Sequence, residues 1–123
     1  KLNKKKISLI GSGNSISGLP FEEKSVLLNI DLKDRIIINK KKLELTANGN
    51  IEIYKIHNKL LKNSLYFTGF PSYPSVRLGA CVANSVHGLN PKSGCLSNFI
   101  KKIKIYNPNF GYKVLTPKKN ANF

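Results

Sequence analysis

A short glycine-containing segment, Gly11 to Ser15, has residue types suited to binding an anion. It reads Gly-Ser-Gly-Asn-Ser and directly follows the apolar run Ile7 to Ile10. Two glycines around a serine allow consecutive backbone N–H groups to point into one concavity, and the hydroxyls of Ser12 and Ser15 add donors. These donors suit a phosphate or a pyrophosphate, although an ordinary glycine turn would use the same residues.

A second segment, residues 79 to 90, combines small residues with polar ones. The small residues leave space beside the backbone, the polar ones offer hydrogen bonds to an amide-rich ring, and the histidine can present an imidazole at a ligand's edge. A large planar cofactor lying against the backbone has these needs. Close helix packing and a hydrogen-bonded core histidine are the alternative. The residues concerned are Gly79, Ala80, Asn84, Ser85, His87 and Gly88.

The elements that would position these segments are mostly strands. Short apolar runs at 6–10 and 25–30 predict two strands. Residues 35–49 predict strand, lysine turn, strand and glycine turn, and residues 98–117 predict a late hairpin. Strands and helices do not alternate regularly, so the pattern favours an α+β fold over a doubly wound sheet.

One helix of about three turns is predicted after residue 50. Asn50 is its predicted N-cap and Glu52 lies in its first turn. The apolar positions at helical spacing are Ile51, Tyr54, Leu60 and Leu61, and His57 is interpreted as a surface residue beside lysines.

A Rossmann dinucleotide site is disfavoured. Asp31 lies at the expected distance for the acidic residue of that motif, but Ile16 occupies the third motif position. Pro20 also interrupts the helix that should begin there.

The length of 123 residues predicts one domain, and the formal net charge is +15. The lysines are scattered in pairs and threes, only Arg35 and Arg77 are arginines, and the aromatic residues do not interleave with lysines in the sequence as a stacking platform would require. We therefore interpret the charge as a solvated surface and expect no nucleic-acid partner. A basic nucleic-acid-binding module is the alternative.

Cys81 and Cys95 match no metal-binding spacing, and one possible bridge is no disulfide framework. This usage favours a reducing compartment, so a cytoplasmic location is expected. No apolar run reaches the length of a membrane-spanning helix.

The glycine loop and the second segment together resemble a known protein family. The loop GSGNS and the stretch PSYPSVRLGACVANSVHGLNPKSGCLSNFIKKIKIYNPNFGYKVLTP, residues 71 to 117, are similar to the FAD-binding domain of the vanillyl-alcohol oxidase and p-cresol methylhydroxylase superfamily (PCMH-type). The pattern most resembles the FAD-linked oxidases of the decaprenylphosphoryl-ribose oxidase type. The matching positions include Gly79, Val82, Ala83, Val86, His87, Gly88, Asn90, Gly94, Asn98 and Leu115 to Pro117.

The resemblance implies a flavin-dependent oxidoreductase that transfers a hydride from an alcohol or sugar-type substrate to flavin N5. The loop residues implied around the FAD pyrophosphate are Gly11, Ser12, Gly13, Asn14, Ser15, Ile16 and Ser17. The residues implied along the cofactor are Ser72, Arg77, Leu78, Gly79, Ala80, Asn84, Ser85, Val86 and His87, with His87 beside the isoalloxazine. No metal is implied.

Two departures from the family pattern bear on the cofactor. Ala80 replaces the usual second glycine and adds a methyl group near FAD. Asn14 stands where some relatives carry a flavin-linking histidine, so we expect non-covalent FAD.

The resemblance also implies an N-terminal FAD-binding domain over 1–123, built of two small α/β subdomains and incomplete at its C-terminal side. The substrate domain would be absent, and this piece alone would have little or no turnover. The missing part would be the remaining C-terminal portion or a partner chain that completes a small FAD-binding subunit.

Overall fold

The computed structural model describes residues 6–15, 18, 21 and 23–117. Within these residues the chain has six strands, two α-helices and one 3₁₀ helix, as predicted for the α+β class. The strands form three separate two-stranded sheets. In chain order the elements are β1 (Lys6–Ile10), β2 (Ser25–Asn29), β3 (Ile36–Asn39), β4 (Glu44–Ala47), α1 (Ile53–Leu61), α2 (Leu78–Ala83), the 3₁₀ helix (Leu96–Phe99), β5 (Ile103–Asn107) and β6 (Gly111–Leu115).

The first sheet pairs β1 and β2 in parallel, with Ile10 opposite Asn29 where both strands end. This register brings the glycine loop that follows β1 beside the end of β2. Ile7 and Leu9 are 60% and 66% exposed. Parallel sheets are normally covered on both faces, so this sheet presents apolar surface that the described residues leave uncovered.

Both predicted hairpins are confirmed. β3 and β4 are antiparallel and joined through the lysine turn, with Ile38 opposite Leu45. β5 and β6 are antiparallel, with Tyr106 opposite Tyr112. The late hairpin begins at Ile103 rather than at residue 98, because the residues before it form the 3₁₀ helix.

The predicted start of the helix is wrong by two residues. Glu52, not Asn50, is the N-cap of α1, and it makes no side-chain capping bond. The amide of Asn50 instead donates a hydrogen bond to the carbonyl of Leu32, over 2.8 Å. Asn50 therefore ties the helix entrance to the chain after β2.

Backbone carbonyls from a later segment take the place of a side-chain cap on α1. The N–H of Ile53 donates to the carbonyl of Val76 over 2.9 Å, and the N–H of Tyr54 donates to that of Pro74 over 3.0 Å. The first N–H groups of a helix have no partner inside it, so such bonds are energetically important. They hold residues 74 to 76, which lead into α2, against the start of α1.

The buried face of α1 also differs from the prediction. Ile53, Ile56 and Leu60 are buried, whereas Tyr54 and Leu61 are exposed. A helix that begins at residue 53 places positions i, i+3 and i+7 on one face, and these are the three buried residues. Of the four predicted apolar positions Ile51 and Leu60 are buried, and the prediction overlooked Ile53 and Ile56, which share the face of Leu60.

The hydrophobic core lies between α1, the β3–β4 hairpin and α2. Its buried members are Ile51, Ile53, Ile56, Leu60, Cys81 and Leu96. Partly buried side chains of both hairpin strands pack against it, among them Ile36, Ile38 and Leu45. Among the described residues no helix is long and apolar enough to cross a membrane.

We expect the two free cysteines to differ in reactivity. Cys81 is fully buried and burial raises the pKa of its thiol, whereas Cys95 is partly exposed. Because the thiolate is the reactive form, iodoacetamide should label Cys95 about tenfold faster than Cys81 in the folded chain. Peptide mass spectrometry measures both rates, and in urea they should become similar. Equal labelling rates in the folded chain would show that Cys81 is not enclosed.

Candidate cofactor-binding site

A pocket of about 410 Å³ opens at the end of β1, where the glycine loop begins. The loop and Asn29 come from the paired ends of β1 and β2, and the other lining residues precede α1 and α2. Ligands of parallel sheets bind beyond the carboxyl ends of the strands, which is where this pocket lies. The lining residues are Ile10, Gly11, Ser12, Gly13, Asn14, Asn29, Glu52, Ser75 and Arg77.

The glycine loop is fastened to the segment before α2. The Ser12 hydroxyl donates a hydrogen bond of 2.7 Å to the carbonyl of Ser75. A Cβ added at Gly11 would lie 3.3 Å from the Cβ of Ala80 in α2, which is tight contact. The glycine loop therefore contacts Ser75, and it lies beside Ala80 at the start of the second segment singled out in the sequence.

The role predicted for the Ser12 hydroxyl needs correction. It was expected to donate to an anion, but in the structure it donates to Ser75 and so positions the loop. The loop's remaining donors are backbone groups. In the described part of the chain, the N–H groups of Ser12, Gly13 and Asn14 have no protein acceptor. Gly13 has a φ of +74°, a left-handed conformation that glycine adopts without strain.

Arg77 contributes the positive charge of the pocket. Its Nη1 donates to the Asn29 side-chain oxygen over 2.5 Å and more weakly to the carbonyl of Ile30 over 3.4 Å. No carboxylate of the described residues lies within ion-pair distance of this guanidinium. Backbone N–H groups together with an unneutralised guanidinium form a donor set that fits a pyrophosphate.

One carboxylate adds a negative charge to the pocket. Glu52 lines the pocket, and its carboxylate is 3.8 Å from the ammonium of Lys55. Lys55 also donates a hydrogen bond of 2.8 Å to Asp34, and this bond raises the pKa of the lysine. Lys55 therefore remains protonated and partly offsets the charge of Glu52.

The structure explains why position 79 is a glycine, and the explanation differs from the one that the sequence suggested. Its N–H donates a hydrogen bond of 2.7 Å to the carbonyl of Gly49. A Cβ at Gly79 would lie 3.1 Å from that same oxygen. The backbone of Gly49 thus occupies the space beside Gly79, so the missing side chain serves backbone packing within this chain.

Several predicted site residues lie away from the pocket lining. Asn84 donates its amide to the carbonyl of Ala80 over 2.9 Å, and Val86 packs against the core, as does Leu78. His87 is exposed, with Nδ1 3.0 Å from the carbonyl of its neighbour Gly88.

Three further predicted residues do not line this pocket, and two fall outside the described residues. Ser72 lines a different pocket, of about 360 Å³, beside α1. Ser15 and Ser85 are exposed. Ile16 and Ser17 lie outside the described residues. Of the predicted residues, the structure brings together Gly11, Ser12, Gly13, Asn14, Arg77 and Ala80.

Sequence reasoning missed four residues of the pocket, Ile10, Asn29, Glu52 and Ser75. Asn29 had a weak signal, because it is a polar residue at the end of the apolar run that predicts the second strand. Glu52 and Ser75 had none, since each reaches the pocket only through the contacts between the α1 and α2 entrances.

Comparisons with known proteins bear on the fold of this chain. No protein-family model matches the chain. The chain is 25% identical over 112 residues to D-arabinono-1,4-lactone oxidase of Candida glabrata, a match that covers 87% of this chain and 21% of that protein.

Solved structures of cholesterol oxidase from Brevibacterium sterolicum share the fold. A histidine-to-alanine mutant matches with a TM-score of 0.70 and 21% identity, over 91% of this chain and 25% of the other. A further structure of the same oxidase matches with a TM-score of 0.70 and 20% identity, over 91% and 24% of the two chains. The chain thus spans about a fifth to a quarter of the length of the proteins it matches. The predicted resemblance to FAD-linked oxidases is confirmed.

Proposed function

We propose that this chain, a FAD-binding domain of the vanillyl-alcohol oxidase and p-cresol methylhydroxylase type, binds FAD non-covalently as part of a flavin-dependent oxidoreductase. The observation that carries the proposal is the meeting of the glycine loop with Arg77 at one pocket, with Ala80 packed close to Gly11. Asn14 supports the non-covalent mode, because its amide is not a nucleophile that forms a flavin bond.

In this proposal the chain's own residues bind and orient the cofactor. The N–H groups of Ser12, Gly13 and Asn14 and the guanidinium of Arg77 hold the pyrophosphate. The Ser12–Ser75 hydrogen bond keeps the loop against α2 and so fixes the direction of those donors. When bound, FAD supplies the hydride acceptor at N5.

The proposal also covers the substrate class, the position of His87 and the source of the substrate contacts. The relatives are named as oxidases of an arabinonolactone and of cholesterol, which supports an alcohol or sugar-type substrate. We assign His87 to the neighbourhood of the isoalloxazine, beyond the described pocket. Residues 1–123 would form the N-terminal part of the FAD domain, with its two small subdomains, and substrate contacts would come from further polypeptide or a partner chain.

The decisive experiment is direct titration of FAD with the chain, followed by flavin fluorescence anisotropy. We expect saturable binding that ADP reverses and riboflavin does not, because the described donors face the diphosphate. No rise in anisotropy at millimolar concentrations of the chain would contradict the proposal.

A nucleic-acid-binding function is the second candidate, and the β5–β6 hairpin favours it. Lys104 Nζ lies 4.6 Å from the ring centroid of Tyr112, and Lys113 Nζ lies 4.2 Å from that of Phe110. The expectation that lysines and aromatic rings do not interleave is therefore wrong for this hairpin. This candidate would be supported if the chain bound a labelled oligothymidylate tightly and did not bind FAD. The affinity for the oligothymidylate should then fall steeply with salt concentration.

A further inference from the structure

The direction of the Arg77 side chain is set by a residue outside every predicted site. Asn29 ends β2, and its side-chain oxygen accepts a hydrogen bond from Arg77 Nη1. We infer that Asn29 is a positioning residue that holds Arg77 toward the pyrophosphate, and that this pair makes the site select diphosphate ligands such as FAD and ADP over the monophosphate FMN. The inference rests on the proposed function and deepens it.

The backbone at both ends of this contact is held firmly. Asn29 lies in the β1–β2 ladder. Arg77 forms an antiparallel bridge with Glu52, and its neighbours Val76 and Leu78 make hydrogen bonds of 2.9 and 2.8 Å with Ile53 and Ile51. The flexible part of the arrangement is therefore the arginine side chain alone. A single acceptor on β2 removes much of that freedom before a ligand arrives.

The chemistry of the acceptor matters as much as its position. An asparagine oxygen is neutral, so it orients the guanidinium without cancelling its charge. Arg77 has donors on three nitrogens, and its described hydrogen bonds use only Nη1. Nη2 and Nε are left for a ligand, and a guanidinium pairs with two phosphate oxygens in a planar fork. A diphosphate extends from the glycine loop to this fork more fully than one phosphate does.

The other charges around Arg77 place the favourable potential for an anion on one side of the pocket. Glu52 is the one carboxylate among the described residues of the pocket, and Lys55 lies 3.8 Å from it. An anion is therefore favoured on the side of the loop and Arg77 and disfavoured near Glu52. This difference favours a position for the phosphates beside the loop and Arg77.

Four variants of the full chain test the inference, with FAD, ADP and FMN as ligands in isothermal titration calorimetry. Arg77→Gln should weaken FAD and ADP about tenfold or more, which is the usual effect of losing a hydrogen bond to a charged partner. Arg77→Lys should restore part of the affinity, because it returns the charge without the fork. Asn29→Leu should weaken both ligands about threefold to fivefold by the same scale of hydrogen-bond energies.

Asn29→Asp separates positioning from folding. It keeps an acceptor for Arg77 but adds a negative charge that pairs with the guanidinium, so affinity should fall at least as far as in Arg77→Gln. The matched control is Arg35→Gln, which removes the only other arginine, an exposed one outside the pocket. Its affinities should equal those of the unaltered chain.

Two readouts would not respond to a purely structural role. The ratio of FAD to FMN affinity should narrow in Arg77→Gln, and the salt dependence of ADP binding should become shallower. Equal affinities in Arg77→Gln and Arg35→Gln, with FAD still bound, would overturn the inference and leave the proposed function intact. An unaltered chain that binds neither FAD nor ADP would overturn both. If Asn29→Leu kept full affinity for FAD and ADP while Arg77→Gln lost affinity, Asn29 would not be the residue that positions Arg77.

Discussion

Replacing Gly88 with valine is expected to abolish the cooperative unfolding transition of this chain. Gly88 is buried, and a Cβ built there would overlap the carbonyl oxygen of Phe70. The obstacle is backbone, which has no alternative rotamer, and valine adds two further methyl groups. Overpacking against a fixed neighbour costs about 3 kcal/mol or more, a large fraction of the stability of a small domain.

The matched control for this prediction is Gly18→Val. Gly18 is exposed, and a Cβ there would meet nothing within 4 Å. Its free energy of unfolding should change by about 0.5 kcal/mol or less. Urea denaturation followed by circular dichroism measures both variants, and an unchanged midpoint for Gly88→Val would show that the chain near Phe70 packs differently.

The second large effect is expected at Gly13, where valine should remove FAD binding from a chain that still folds. Gly13 has a φ of +74°, and a β-branched residue strongly resists that conformation. The loop would relax to another shape and turn the N–H groups of Ser12, Gly13 and Asn14 away from the pocket. Each lost hydrogen bond to a charged phosphate reduces affinity about tenfold, so the loss of even two of these three bonds would reduce it about a hundredfold.

Gly111→Val separates this effect from backbone strain. Gly111 has a φ of +68° at the start of β6, it does not line the pocket, and a Cβ there has open space. Both variants should lose about 1 to 2 kcal/mol of stability from the left-handed backbone. FAD titration should detect a loss of affinity in Gly13→Val alone, so equal FAD affinities in the two variants would remove the loop from the site.

Gly79 illustrates why such controls are necessary. The sequence alone predicts that valine at this position blocks a cofactor and spares the fold. In the structure the space beside Gly79 holds the backbone of Gly49, so a substitution there disturbs the fold itself. A loss of FAD binding in that variant would not distinguish the two causes, whereas Gly13 does.

The amino-acid sequence by itself determined the local elements and the glycine loop. Alternating apolar residues and lysine or glycine turns predict β1 to β6 because strand periodicity and turn chemistry act over a few neighbouring residues. The resemblance carried by residues 71 to 117 likewise predicted the oxidase fold that the comparisons confirm.

Only the tertiary structure decided which side chains face the pocket. The spacing of Ile53, Ile56 and Leu60 is a local signal for a buried helix face, but the start of α1 depends on carbonyls of residues 74 and 76, which no local pattern contains. The contact between Asn29 and Arg77 joins residues 48 positions apart. Such pairings arise from parallel strand register and from the docking of α2 on the chain before α1, which are long-range contacts that no short window of sequence contains.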